Sequence, residues 1–166
     1  MVKKIGIIHN GCAKNLVDTE LMVGKLIEAG FETTLDIDDE NIDAYLINTC
    51  SFIHDAEKES VQAILNIAQK GKKIVVAGCL AQKYKDELLE LLPEVSSLVG
   101  VANINDIVSA FLNSDVYVSE SPCYQYPEQI ERAHITIGAS AYIKIAEGCN
   151  YTCGYCIIPK LRGKYS

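Results

Sequence analysis

What the 166-residue sequence lacks is the first guide to its chemistry. No apolar run approaches the roughly 18 residues of a membrane-crossing helix, so no span is expected. The opening "MVKKIGIIHNG" carries basic residues and a short apolar stretch, but no small-residue cleavage site follows. That pattern predicts no secretory leader and a cytoplasmic protein. Positive charge is scarce: 15 Lys and Arg against 22 Asp and Glu leave a formal charge of −7. A sequence-independent nucleic-acid binder draws its affinity from neutralised phosphates, so nucleic acid is not the expected partner of this stretch of chain. Internal repeats and low-complexity tracts are absent too.

Cysteine, by contrast, is abundant. The seven residues Cys12, Cys50, Cys79, Cys123, Cys149, Cys153 and Cys156 are an odd number, which does not suit a closed disulfide framework. In a reducing cytoplasm disulfides are rare, and clustered cysteines bind metal or do redox chemistry.

Short apolar strands alternate with helical patterns over residues 1–118, the signature of βαβ units on a parallel sheet. Strands are expected near 3–8, 31–35, 44–48, 73–77 and 97–101. The helices between them should bury Val23, Leu26 and Ile27; Val61, Ile64, Leu65 and Ala68; Tyr84, Leu88, Leu91 and Leu92; and Ile104, Ile107, Val108 and Phe111. The predicted class is α/β: a flavodoxin-like, doubly wound parallel sheet of five strands in the order 2-1-3-4-5. Residues 119–139 lose all period and read as a linker. At 140–166 a fresh strand, "AYIKIAEGC", begins and leads into "CNYTCGYCIIPKLRGKYS". The whole is expected to be the N-terminal portion of a longer protein.

Cys12, Cys50 and Cys79 each directly follow a predicted strand: the first, third and fourth. In the order 2-1-3-4-5 those strands are neighbours about 5 Å apart, so the three thiols should meet at one carboxyl edge, where such sheets bind ligands. Helices follow each cysteine, and their positive ends favour thiolate, the form that binds metal. Three thiolates on a cubane iron–sulfur cluster leave one iron open. Two other readings stand beside this one: small buried hydrophobes, or zinc with His9 or His54 as fourth ligand. No role is assigned to His9, His54 or His134. Downstream, Cys149, Cys153 and Cys156 form C-x3-C-x2-C in one glycine-bearing loop. A thioredoxin-type pair leaves Cys149 unexplained, and a zinc ribbon needs a second pair; a three-cysteine cluster loop ranks above both.

This loop, with Tyr155 before its last cysteine, resembles that of the radical S-adenosylmethionine enzymes. Combined with Cys12, Cys50 and Cys79, and with "KIAEGCNYTCGYCIIPKLRGKY", the chain is similar to the methylthiotransferases of that superfamily. The resemblance implies two 4Fe-4S clusters, one on each cysteine set, and a radical barrel of which 140–166 would be the first strand and cluster loop. It implies that S-adenosylmethionine is bound at the second cluster with Tyr155 against its adenine, and cleaved to a 5′-deoxyadenosyl radical by an electron from a donor such as flavodoxin or ferredoxin. The cluster on Cys12, Cys50 and Cys79 would then deliver a methylthio group. "GCAKNLVDTE", with Lys14, and "IPKLRGKY" resemble the branch that modifies an aspartate β-carbon of a small-subunit ribosomal protein, although Ala13 and Thr19 depart from its usual proline and serine. The alternative branch modifies a tRNA adenosine beside the anticodon. An alternative of another class is a non-catalytic flavodoxin-like module binding metal or flavin. The residues 1–166 alone are expected to show no turnover. Asn15 and Asp18 read as helix-capping and first-turn residues, Asp36, Asp38 and Asp39 as a solvated loop, and Cys123 as a free thiol.

Overall fold

The computed structural model describes residues 2–123, 132–136 and 138–166. In chain order these form β1 (Lys4–His9), α1 (Ala13–Glu28), β2 (Glu32–Thr34), β3 (Ala44–Thr49), α2 (His54–Ala68), β4 (Lys73–Gly78), α3 (Cys79–Leu91) and β5 (Val95–Val99). A 3-10 turn at Ile104–Asp106 runs into α4 (Ile107–Leu112); β6 (Val116–Tyr117) and α5 (Ile158–Arg162) follow. The strands make one sheet in the order β2-β1-β3-β4-β5-β6, with every pairing parallel. The expected order 2-1-3-4-5 is therefore present, with a sixth strand added outside β5. Two residues are too few for a periodicity to reveal, and β6 exists only because Val116 and Tyr117 find β5 as a partner.

Side chains alternate across the sheet and feed two cores. Ile5, Ile7, Ala44, Leu46, Val75, Ala77 and Val99 face α1 and α4. Tyr45, Ile47, Ile74, Val76 and Leu98 face α2 and α3. Of the helix faces read from the sequence, Val23, Leu26, Ile64, Leu88, Ile104, Ile107 and Phe111 are buried. Ile27, Leu65 and Leu91 are exposed instead, at 50%, 39% and 77%. Each lies on a part of its helix that the sheet leaves uncovered.

Residues 132–136 of the expected linker are docked on α1. Buried Glu20 accepts hydrogen bonds from the Ile135 N–H (3.2 Å) and the Thr136 hydroxyl (2.8 Å) and pairs with Arg132. The expected strand over 141–149 does not form. Glu147 and Ser166 instead exchange both backbone hydrogen bonds at 2.9 Å, and Cys149 N–H reaches the Gly163 carbonyl at 3.1 Å. Burial there does not follow a strand's alternation. Ile143 and Ile145 are 82% and 92% exposed, while Lys144 and Glu147 are buried. The charged residues turn inward because opposite charges wait for them on α1.

Candidate metal centre

Register brings the first three cysteines to one place. His9 of β1 lies opposite Asn48 of β3, and Thr49 lies opposite Gly78 of β4. Cys50 and Cys79 are thus consecutive along the carboxyl edge, with Cys12 at the N-terminal boundary of α1 beside them. All three line a cavity of about 680 Å³, together with His9, Asn10, Lys14, Phe52, Ile53, Leu161 and Arg162. Cys12 is exposed, and Cys50 and Cys79 are buried.

The local backbone is built for this convergence. Gly78 holds φ 93° and ψ −151°, a region that essentially only glycine occupies. A Cβ there would stand 2.3 Å from Asn48 Oδ1 and 2.6 Å from the Thr49 carbonyl oxygen. Gly11, at φ 118°, lets its backbone pass so close to Cys50 that an added Cβ would meet the Cys50 Cβ at 2.9 Å. The Cys50 loop is pinned by Ser60, whose hydroxyl accepts from the Cys50 N–H at 3.0 Å.

The electrostatics differ from the expectation of three helix-polarised thiolates. Cys12 precedes α1 and Cys79 opens α3, but α2 starts only at His54, so Cys50 lies outside its first turn. Burial pushes the Cys79 thiol up; the Arg162 guanidinium opposes it, and the neighbouring Cys50 and Cys12 add to the rise. Arg162 Nη2 donates to Cys79 Sγ at 3.5 Å.

Behind the cavity lies a charged cluster that the sequence reading missed. Asp18, Lys144, Glu147 and Arg162 are all buried. Lys144 donates to Asp18 and, at 2.9 Å, to Glu147 Oε2. Arg162 Nη1 donates to Glu147 Oε2 at 2.6 Å and reaches Asp18 Oδ2 at 3.3 Å. Burial pushes the Glu147 carboxyl up, but Arg162 and Lys144 outweigh it and hold it at about 2. Burial pushes Asp18 up, against the pull of Lys144 and Arg162. Asn15 and Asp18 are therefore not capping residues. The helix boundary is at Cys12, and Asn15, one turn in, is fully buried with its amide donating to the Thr49 carbonyl at 2.8 Å and its Oδ1 accepting from Arg162. Lys14, partly exposed, joins the cluster from outside: it donates to the Ala146 carbonyl (3.1 Å) and Glu147 (3.3 Å). The signal available in the sequence was spacing. Asn15 and Asp18 sit at i and i+3, and Glu147 and Arg162 flank the second cysteine set, so the four could share one interface.

Cys149, Cys153 and Cys156 occupy one irregular loop ahead of α5, with Cys153 exposed and the other two half-buried. The Cys156 N–H closes a turn onto the Cys153 carbonyl at 3.1 Å, and Tyr155 is 93% exposed. Leu161 packs with Cys79 and Val101, so the helix after this loop roofs the first thiol site. Among the described residues, no group of three or more His, Cys, Asp or Glu side chains is arranged around a single metal ion. His9 bonds to Thr19 (3.1 Å), and burial pushes its pKa down. Asp38 and Asp39 pair with Lys70 and Lys4 at the surface, and Cys123 is exposed.

A profile described as "Uncharacterized protein family UPF0004" matches residues 4–100, which hold five of the six strands and all three converging cysteines. The chain belongs to that family. Relatives named "Ribosomal protein uS12 methylthiotransferase RimO" match nearly all of it. The one from Synechococcus sp. (strain CC9902) is 44% identical over 96% of this chain and 35% of its own length. That from Gloeobacter violaceus is 45% identical over 98% and 38%, and that from Acaryochloris marina 44% identical over 96% and 37%. The chain spans little more than a third of the length of these relatives. Among the described residues no helix is long and apolar enough to cross a membrane.

As a site for a cluster, the family's sheet edge has suitable chemistry. Three thiols line one cavity of about 680 Å³. The side-chain amide nitrogen of Asn10, in the cavity wall, is buried without a hydrogen-bond partner, which suits a sulfide acceptor.

Proposed function

We propose that this chain is the cluster-binding, N-terminal part of a methylthiotransferase acting on an aspartate β-carbon of ribosomal protein uS12. The observation that carries the reading is the convergence of Cys12, Cys50 and Cys79 on one cavity, roofed by the helix that follows Cys149, Cys153 and Cys156. The relatives' names supply the substrate. Cys12, Cys50 and Cys79 would hold one 4Fe-4S cluster, and Cys149, Cys153 and Cys156 a second at which S-adenosylmethionine binds with Tyr155 beside it. When bound, such clusters supply the electron that cleaves S-adenosylmethionine and an iron with an open position for sulfur. A flavodoxin or ferredoxin would donate that electron, and a ribosomal protein as substrate makes the cytoplasm the place of action.

The chain's own residues do the rest. Burial of Cys50 and Cys79, with Leu161 packed on Cys79, limits water at those two thiols. Gly78 and Ser60 fix where two of the thiols stand. The exposed Cys153 and Tyr155 leave the second loop open to a small molecule.

The substrate is tested by removing the gene from its host and measuring the intact mass of uS12 together with the modified nucleosides of tRNA. Loss of a methylthio group from uS12 alone is expected. An unchanged uS12 with loss of a methylthio-adenosine would contradict the proposal in favour of the tRNA branch.

A further inference from the structure

The geometry points to Arg162 as a positioning residue that ties the two cysteine sites together: one guanidinium nitrogen contacts Cys79 of the three-thiol cavity while the other is held by Glu147, beside the second loop, and by Asp18 of α1. This rests on the reading of Cys12, Cys50 and Cys79 as a cluster site, but its structural half stands without it.

Arg162 lies at the end of α5, six residues after Cys156. Its Nη2 donates to Asn15 Oδ1 and to the Sγ of Cys79, which lines the cavity. Its Nη1 donates to Glu147 Oε2 at 2.6 Å and Asp18 Oδ2 at 3.3 Å. Glu147 is two residues before Cys149, and the Glu147 and Cys149 N–H groups bond back to the carbonyls of Ser166 and of Gly163, the residue after Arg162. One planar, permanently charged group therefore spans the rear of the first site and the base of the second. Its five donors in a fixed fork are what the double contact needs, and a lysine could satisfy only one side.

Two consequences follow. The first is mechanical: Arg162 sets where the second loop sits against the cavity, with Asn15 and Asp18 on α1 as its anchors. The second is electronic. A buried positive charge that donates to a ligating sulfur stabilises the more negative, reduced state of a cluster there.

The experiment uses Arg162→Gln, Arg162→Lys and the unaltered chain. In the metal-free protein, hydrogen exchange of the Glu147, Cys149 and Ser166 amides is followed, with the β3 and β4 amides as the control for folding. Arg162→Gln is expected to speed the first group at least tenfold and leave the second unchanged. Equal exchange in all three proteins, or uniform acceleration including β3 and β4, overturns the mechanical half. The reduction potential is then measured by electron paramagnetic resonance in chains whose Cys149, Cys153 and Cys156 are Ala, so that only one cluster can form. Arg162→Gln should make reduction about tenfold less favourable, ~59 mV for one electron, with Arg162→Lys recovering part of it. A potential that does not move overturns the electronic half. If no cluster assembles on Cys12, Cys50 and Cys79, the site assignment itself fails, and the exchange result still decides whether Arg162 is the tie.

Discussion

Replacing Lys144 by Met asks whether the buried charges hold the second loop to the sheet. The Lys144 side chain is 1% exposed and donates to two carboxylates that are 4% and 3% exposed. Its removal leaves Asp18 and Glu147 sharing Arg162, with Lys14 3.3 Å from Glu147 on its outer side. Deleting one partner of a buried pair costs about 3–5 kcal/mol, because the other charge stays out of water unneutralised. Protonating Asp18 is one relief, and burial already favours it. The other is for residues 144–166 to lift off α1 and let water in, which limits the loss to the docking free energy. The expected loss is about 3 kcal/mol, read as roughly a hundredfold faster exchange of the Glu147, Cys149 and Ser166 amides at pH 7. The double variant Asp18→Asn with Lys144→Met removes a charge of each sign and should recover all but about 1 kcal/mol. A single variant within about 0.5 kcal/mol of the unaltered chain, or a double variant as damaged as the sum of its parts, would refute the reasoning.

Two further outcomes are expected. Gly78→Ala forces a residue with a Cβ into a glycine-only region against Asn48 and Thr49, and should lower urea stability by about 3 kcal/mol or more; a change under about 0.5 kcal/mol would show that the backbone can relax. Glu147 is held at about 2 in the folded chain against an ordinary 4.5, so its contribution is fully present above pH 4.5 and is lost as pH falls toward 2. At ~1.4 kcal/mol per pH unit that is about 3 kcal/mol as an upper figure, since Asp18 shifts the other way, and Glu147→Gln should flatten the acid limb of a urea-stability profile over that window. A profile unchanged by Glu147→Gln would contradict it.

The parallel sheet was legible because β1, β3 and β4 are largely apolar runs bounded by turn residues, with helical periods between the strands. The thiol cavity was legible for a related reason: strand order turns three distant positions into neighbours, and Cys12, Cys50 and Cys79 each sit just past a strand end. What the periodicity could not show was the charged interface. Asp18 and Asn15 look like ordinary first-turn residues of α1, and Lys144 and Glu147 are charged residues in a stretch that otherwise reads as a strand. Their burial depends on partners more than 100 residues away in sequence, and a pattern read within one segment carries no information about them. The same blindness gave a strand over 141–149, where the structure has none and Ile143 and Ile145 are exposed.

The most direct test of the central claim is the iron and acid-labile sulfide content of the chain after anaerobic reconstitution. About eight irons and eight sulfides per chain are expected, falling to about four of each when Cys12, Cys50 and Cys79 are changed together to Ala. Stoichiometric zinc in place of iron, or about four irons whether or not those three cysteines are present, would contradict a cluster at the sheet edge.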